Sequence, residues 1–276
     1  MKHGKTMSVR RAGYYTVGGL LALVFLFPLA WAAWASVKGQ PGTAQQGGFG
    51  LANYRQVVHF GNGLLTYFLN STIVSAFTVA GTLFCSCLGG YAFSRFNFPA
   101  KGLLFVLTIA ILMVPYATIL IPLYVILGYL HLQGSLLGLA LVLIMFQLPF
   151  ATIMMRTSFE SVPRSLDEAA EVDGCGTLST LGRILIPGVR PGLVTVGLFA
   201  FLASWNDFVA PLVLLNNGAK FTLPVAIVSL QQQSFGVINY GALEAGVVVM
   251  AIPALILFLG FQRYYVRGFM AGALRG

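Results

Sequence analysis

Acidic side chains are concentrated in one short stretch of the chain, from Glu160 to Pro187, between long apolar runs. This stretch holds five of the seven acidic residues: Glu160, Asp167, Glu168, Glu171 and Asp173. A carboxylate in water can pair with a basic residue of another protein, and Glu168 is the residue that we expect to do so. A solvated acidic loop that only joins two apolar segments is the alternative.

A second polar group, Ser204-Trp205-Asn206-Asp207, lies inside an apolar run. A carboxylate within a membrane is costly and by default indicates a function. Two interpretations of Asp207 stay open, because it could cap a helix or bond a neighbouring helix, or it could line a substrate path. The candidates for that path are Tyr116, Gln147, Asn206 and Asp207, although core packing also suits Tyr116 and Gln147.

Motifs for catalysis or metal binding are absent from the sequence. It lacks a His-Glu-x-x-His pair, a nucleophile paired with a base, and the Gly-x-x-x-x-Gly-Lys-Ser/Thr motif that holds nucleotide phosphates. The spacing of Cys85, Cys87 and Cys175 fits neither a metal site nor a disulfide framework. We therefore expect no catalytic residue, no metal and no cofactor bound by this chain.

The polar groups are embedded in a strongly apolar chain. Hydrophobic residues make up 58% of the 276 positions and charged residues 8%, with a mean hydropathy of +0.85. A helix needs about 20 mostly apolar residues to cross the hydrocarbon layer. Six stretches are long enough: 13–37, 66–92, 102–130, 135–156, 190–215 and 241–264. The predicted fold class is all-α, a polytopic membrane protein with six transmembrane helices.

The positions of the basic residues predict which helix ends face the cytoplasm. If the amino terminus is cytoplasmic, 13 of the 16 basic residues lie inside, and only Lys38, Arg55 and Lys220 lie outside. This asymmetry follows the positive-inside rule and predicts cytoplasmic termini and a cytoplasmic acidic stretch. The net charge of +9 does not indicate nucleic-acid binding, because the basic residues are scattered at membrane borders and form no patch.

The acidic stretch should fold as two short helices joined by a turn. Pro163 suits a first helical turn, and Ser165 with Glu168 has the Ser-x-x-Glu spacing of a capping box. Gly174 can end the first helix in the left-handed conformation.

The side chains of the first helix suggest a contact surface. Ala169 and Ala170 should keep that surface shallow, so that another protein can approach closely, while Val172 adds an apolar anchor. The second helix, which carries Leu178, then leads to Pro187. Whether Glu168 acts through its charge or through the shape of the helix stays open.

Several short motifs follow one another along nearly the whole chain. They include Asn70-Ser71, Tyr91-Ala92-Phe93-Ser94-Arg95-Phe96, Ile121-Pro122-Leu123-Tyr124, Glu168-Ala169-Ala170, Asp173-Gly174, Trp205-Asn206-Asp207-Phe208 and Val266-Arg267-Gly268. In this order they resemble the carbohydrate branch of type I ABC importer permeases, and the ending is similar to the maltose-type second permease. The acidic stretch resembles the EAA loop of such subunits, with Ile186 where that loop usually has Leu.

The resemblance implies a transport subunit that hydrolyses no ATP itself. It implies a second, different permease, two ATP-binding subunits that use ATP and Mg, and an extracytoplasmic solute-binding lipoprotein or periplasmic protein. In that family the EAA loop docks in a cleft of the ATPase. The implied coupling residues are Glu168, Ala169, Ala170, Val172, Asp173, Gly174, Leu178 and Pro187. The implied location is the inner or plasma membrane of a bacterial or archaeal cell.

The chain is expected to have three parts. Residues 1–65 hold the cytoplasmic amino terminus, the first span and an outside loop; 66–264 form the permease core with the coupling loop 160–187; and 265–276 form a cytoplasmic tail. One alternative function is an ion-coupled secondary transporter, although Asp207 is nearly alone in the spans and no convincing internal repeat is present. Another is an ABC permease for a polyol or glycerol-phosphate-type substrate.

Overall fold

The computed structural model of the protein describes residues 3–39, 48–232 and 239–273, and these form helices and one isolated antiparallel bridge between Lys38 and Phe49. The α-helices are α1 (His3–Val37), α2 (Ala52–Val58), α3 (Leu64–Arg95), α4 (Lys101–Ala110), α5 (Tyr116–Tyr129), α6 (Leu136–Glu160), α7 (Ser165–Val172), α8 (Thr177–Thr180), α9 (Ile186–Gly188), α10 (Arg190–Trp205), α11 (Val209–Leu214), α12 (Leu223–Gln232) and α13 (Tyr240–Ala273). Turns of 3-10 helix at Ile111–Met113 and Gly218–Lys220 and of π-helix at Leu181–Leu185 lie between them. The prediction of an all-α chain is confirmed.

Four helical segments of the described chain are each long and apolar enough to cross a membrane: Gly13–Val37, α3, α6 and Tyr240–Gln262. Two bent pairs of helical segments raise this number to six if each pair is one span. One pair is Lys101–Met113 with α5, bent by 105°, and the other is Thr177–Gly188 with α10, bent by 80°. The chain is therefore a multi-pass membrane protein with four to six candidate spans.

Two of the six predicted apolar stretches are interrupted. Within 102–130, the helix is interrupted at Val114, whose backbone is extended. The next residue, Pro115, explains this, because a proline ring disfavours helical backbone in the residue before it and supplies no N–H group. Within 190–215, α10 ends at Trp205 and α11 begins at Val209. Each of these two stretches therefore contains separate helical segments, and the number of six spans stays a prediction.

The chain divides into two compact units. The first contains the described residues up to Gly63 together with the described part of Ile227–Ile252. In it, α2 is held to the end of α1, because the Asn53 side-chain nitrogen donates to the carbonyl oxygens of Ser36 and Lys38 at 2.9 and 3.0 Å. Residues 40–47 of the predicted outside loop and 274–276 of the predicted tail lie outside the described residues.

The second unit contains Leu64–Ala226 and the described residues from Pro253 onward, and α3 packs along both α6 and α10. A side chain added at Gly90 of α3 would place its Cβ 2.8 Å from the backbone nitrogen of Arg156 in α6. Small residues allow such close backbone approach between membrane helices. The two helices therefore form a tightly packed pair at this level.

Two apolar clusters fill the core of the second unit. The first gathers residues of α3, α5, α6 and α11: Val74, Leu120, Leu127, Leu139, Leu143, Ala210 and Leu214. The second joins α3 and α6 to the π-helical turn and its surroundings: Tyr91, Ala151, Met155, Phe159, Val162, Leu181, Leu185 and Val189. The segments on either side of α7 are thus anchored in the second cluster.

Candidate coupling segment and intramembrane polar pair

The acidic stretch contains the predicted short helix, α7, but its start differs from the prediction. The backbone carbonyls of Pro163 and Arg164 accept the first hydrogen bonds of the helix. Ser165 is already the first helical residue, and within the described structure the flanking Arg164 makes no side-chain cap. The predicted capping box is therefore wrong, because Ser165 lies one position too far into the helix to act as the cap. Pro163 lies two residues before Ser165, and its carbonyl oxygen accepts from the N–H of Leu166 at 3.2 Å.

The end of α7 agrees with the prediction. Gly174 adopts a left-handed conformation with φ of +76°. Its N–H donates to the carbonyl oxygen of Glu171 at 3.0 Å, and the N–H of Cys175 donates to that of Ala170 at 2.8 Å. This pair of bonds is a Schellman motif. A Cβ at position 174 would meet nothing within 4 Å, so the backbone conformation and not lack of space favours glycine there.

The inner face of α7 packs against the rest of the second unit. Ala170 is only 2% exposed, so it cannot present a surface to another protein, contrary to the expectation for that residue. Ala169 beside it is exposed. The two alanines thus lie on different sides of the helix, and Ala169 remains for contact with a partner.

Arg95, the last residue of α3, contacts this inner face. Its Nε lies 3.1 Å from Oδ2 of Asp167, and a terminal nitrogen donates to the carbonyl oxygen of Val162 at 2.9 Å. The Arg95 side chain is 8% exposed and that of Asp167 25%. Neither paired atom makes an aligned hydrogen bond to any described residue, so the contact is one of charge. The sequence analysis missed this pair, although a single arginine that ends an apolar span was a visible signal.

The outer face of α7 and the turn after it carry exposed apolar side chains. Val172 is 88% exposed and Leu178 in α8 is 77% exposed. Pro187, in α9, is also exposed. Exposed apolar residues close together in sequence are common at contact sites, although single ones are ordinary on surfaces.

The acidic side chains of the stretch divide into paired and unpaired ones. Asp167 pairs with Arg95, and Glu160 with Arg156 at 2.8 Å. The other three are exposed and have no ion-pair partner among the described residues: Glu168, Glu171 and Asp173. A cavity of 460 Å³ beside α7 is lined by Glu168 and Glu171 together with Arg164. These carboxylates are therefore accessible to a partner.

Of the four candidate substrate-path residues, the structure brings Tyr116 and Asp207 together. The Tyr116 hydroxyl donates to Oδ2 of Asp207 at 2.5 Å, and the N–H of Ala210 donates to Oδ1 at 2.9 Å. Asp207 therefore accepts a hydrogen bond from the first turn of α11 and another from the first residue of α5. The Tyr116 ring also packs edge-on against Phe146, with 4.6 Å between ring centroids. The bond joins the points at which the two interrupted stretches break.

The other two candidates stand apart from this pair. The Asn206 side chain is exposed and donates to the carbonyl oxygen of Leu202 in its own helix at 2.8 Å. Gln147 is half-buried in α6. No described hydrogen bond joins either residue to Tyr116 or Asp207.

Comparison with known proteins gives a matching family model and relatives that are similar over nearly the whole chain. The family model described as "Binding-protein-dependent transport system inner membrane component" matches residues 81–270. The sulfoquinovosyl glycerol transport system permease protein SmoH of Agrobacterium fabrum is 35% identical over 269 residues, which cover 95% of this chain and 93% of the relative. The arabinooligosaccharides transport system permease protein AraQ of Bacillus subtilis is 31% identical over 284 residues and is matched over 100% of both chains.

A solved structure also has the same fold. A chain in the crystal structure of a bacterial ABC transporter involved in the import of the acidic polysaccharide alginate gives a TM-score of 0.77 at 23% identity. The match covers 96% of this chain and 98% of that chain. The family model, the identity to long relatives and the shared fold agree with the resemblance to ABC importer permeases. The protein belongs to the family of binding-protein-dependent transport system inner membrane components.

Proposed function

We propose that this chain is the membrane-spanning permease subunit of an ATP-driven importer for a sugar or related carbohydrate. Its family supports the permease role, and two relatives are named for the transport of sulfoquinovosyl glycerol and of arabinooligosaccharides. Both names denote carbohydrate compounds, which favours this substrate class over an unrelated one. The chain forms half of the translocation pathway.

Six spans with both termini in the cytoplasm are the topology that we propose. The asymmetry of basic residues supports the orientation, and four spans with two bent pairs are compatible with the number. In this orientation α7 and α8 face the cytoplasm. The candidate spans and the family description, an inner membrane component, support a location in the inner or plasma membrane of a bacterial or archaeal cell.

The partners that we propose are a second, different permease, two ATP-binding subunits and an extracytoplasmic solute-binding protein. The family description, which refers to binding-protein-dependent transport, supports the last of these. ATP and Mg belong to the ATP-binding subunits, and this chain binds no cofactor of its own. The solute can be identified by measuring which carbohydrates raise the melting temperature of the co-purified binding protein.

The outer face of α7 is the surface that we assign to the ATP-binding subunit. The observation that carries this assignment is the contrast between its two faces. On the inner face, Ala170 is buried and Asp167 pairs with Arg95. On the outer side, Val172 and Leu178 are exposed, and Glu168 has no ion-pair partner among the described residues. A short helix fixed from behind can move as a unit when a partner binds its front. Ala169, Asp173, Gly174 and Pro187 complete the proposed coupling set.

The substrate path is proposed to pass near Tyr116, Gln147, Asn206 and Asp207. The support is chemical, because hydroxyl, amide and carboxylate groups within an apolar span can bond sugar hydroxyls. The hydrogen bonds of Asp207 with Tyr116 and Ala210 also support a purely structural role for that carboxylate. Measurements of both stability and uptake in variants are therefore needed to separate a structural role from a role in the substrate path.

Charge variants of Glu168 test the coupling surface in the purified complex. Glu168→Lys should abolish the stimulation of ATP hydrolysis by the loaded binding protein while the subunit still inserts in the membrane. Glu160→Lys makes the same charge change at the end of α6 and should leave stimulation intact, because its ion pair is exposed and weak. Unchanged stimulation in Glu168→Lys would contradict the assignment of this surface.

A further inference from the structure

Helix α7 is connected along the chain to two of the packed helices but not to the third. Residues 161–164 join it to α6, and α8, the π-helical turn and α9 join it to α10. Helix α3, which packs along both α6 and α10, is distant in sequence. Any direct mechanical link from α7 to α3 must therefore be made by noncovalent contacts.

Arg95 makes such a link with two separate contacts. One is to the Asp167 carboxylate on α7, at 3.1 Å, and the other is to the Val162 carbonyl oxygen just before α7, at 2.9 Å. A guanidinium group is planar and presents its donors in a fixed fork, so two contacts restrain both position and orientation. With only 8% of its side chain exposed, Arg95 is also weakly screened by water.

The surroundings of Arg95 are well packed. One turn earlier, the ring of Tyr91 lies 5.6 Å from that of Phe159 in α6 and 5.3 Å from that of Phe96. Val162 belongs to the same apolar cluster as Tyr91 and Phe159. The end of α3 that carries Arg95 is therefore held in place. A displacement of α7 can then pass through the Asp167 contact to α3 and is not absorbed by local motion of Arg95.

The other ion pair among the described residues lacks these properties. Arg156 and Glu160 are four residues apart in α6, and their side chains are 30% and 47% exposed. This pair cannot link one helix to another. It provides a matched control, because the same carboxylate-to-amide change can be made in each pair.

We propose that Arg95, through Asp167 and the Val162 carbonyl, transmits movement of α7 directly to α3. Arg95 is then a positioning residue for coupling, and it does not touch the partner itself. This inference rests on the proposed function, in which an ATP-binding subunit moves α7. It adds a third route, through side chains, to the two routes along the chain.

Hydrolysis by the purified complex in nanodiscs tests the link. Arg95→Met and Asp167→Asn should retain assembly with the ATP-binding subunits and basal hydrolysis. Stimulation by the loaded binding protein should fall by about fivefold or more, the lower end of coupling between linked sites. Arg95→Lys should be intermediate, since an ammonium keeps the charge but lacks the fork. The control Glu160→Gln should remain stimulated like the wild type.

A distance measurement separates transmission from mere stability. Spin labels are placed at Ser165, the exposed first residue of α7, and at Phe84 on α3, which is 67% exposed, after the native cysteines are replaced by alanine. Addition of a non-hydrolysable ATP analogue with Mg should leave this distance unchanged in the wild type, because both helices move together. In Arg95→Met the same addition should change it.

The outcomes distinguish the link from the function on which it rests. Equal stimulation of Arg95→Met and the wild type, or identical label distances in both, would overturn the link. If Glu168→Lys is still not stimulated in that case, the proposed function stands without the link. Loss of basal hydrolysis together with stimulation, which would mean that Arg95 is needed only for assembly, would also overturn it. A wild-type subunit that binds no ATP-binding subunit would instead refute the proposed function.

Discussion

Substitution of Gly174 tests whether the shape of the end of α7 is required for coupling. Its φ of +76° lies in the left-handed region, and a Cβ at this position would meet nothing within 4 Å. A side chain placed here therefore changes the backbone energy without a clash. The effects of different residues should follow their tolerance of positive φ and not their size.

The expected magnitudes differ among three substitutions. Alanine should destabilise the turn by about 1–2 kcal/mol, the penalty of left-handed backbone for an ordinary L-residue. Asparagine should cost less, because its side chain bonds locally in this conformation. Proline cannot adopt the conformation, since its ring holds φ near −65°, and it removes the N–H that bonds Glu171 at 3.0 Å. Its turn must open, and the last turn of α7 is then lost.

These penalties predict an order of coupling. A change of 1–2 kcal/mol alters the ratio of formed to open turn by a factor of about 5–30. Stimulated hydrolysis, measured per assembled complex, should therefore decrease from glycine through asparagine and alanine to proline, which should abolish it.

Position 176 provides the matched control. Gly176, the residue before α8, has an ordinary φ of −72°, and a Cβ added there would also meet nothing within 4 Å, so Gly176→Asn should be neutral, because asparagine suits the cap position of a helix. Full stimulation of Gly174→Pro would refute the requirement for the Schellman turn. Equal losses at both positions would show that any change in this segment is harmful, which would also refute the argument from backbone conformation.

Two further predictions concern topology and the intramembrane pair. A cysteine at Leu178, in a background without native cysteines and in membranes that lack the ATP-binding subunits, should react with a membrane-impermeant maleimide only from the cytoplasmic side; reaction from the outside would refute the orientation. Tyr116→Phe should lower stability by about 0.6 kcal/mol, the average for hydrogen bonds between membrane helices, with a parallel loss of uptake. Loss of uptake with unchanged stability would place the hydroxyl on the substrate path instead.

Hydrophobicity predicted the apolar stretches but not their interruptions. Hydropathy depends on composition, and Pro115 and Asp207 change it little. Proline alone was not sufficient, because Pro28, Pro149 and Pro253 lie inside continuous helices. A proline in a membrane helix can be accommodated when neighbouring groups satisfy the freed carbonyl. The break at Pro115 therefore depends on tertiary contacts that a single sequence does not reveal.

The coupling segment was predictable where local chemistry decides its structure. Gly174 ends α7 because glycine favours the left-handed turn, which is a property of one residue. The predicted capping box at Ser165 is wrong, because the first N–H groups of α7 donate to backbone carbonyl oxygens and not to the Ser165 hydroxyl. The burial of Ala170 and the pairing of Arg95 with Asp167 depend on tertiary packing, and Arg95 and Asp167 are more than 70 positions apart in the sequence.

The relative size of apolar and charged contributions bears on how Glu168 acts. Burial of a valine or leucine side chain contributes about 1.5–3 kcal/mol, and Val172 and Leu178 are 88% and 77% exposed before any partner binds. An exposed ion pair contributes about 0–1 kcal/mol. Docking affinity should therefore come mainly from the apolar side chains, while Glu168 contributes orientation. If so, Glu168→Gln should retain binding and lose part of the stimulation, whereas Val172→Asp should lose binding itself.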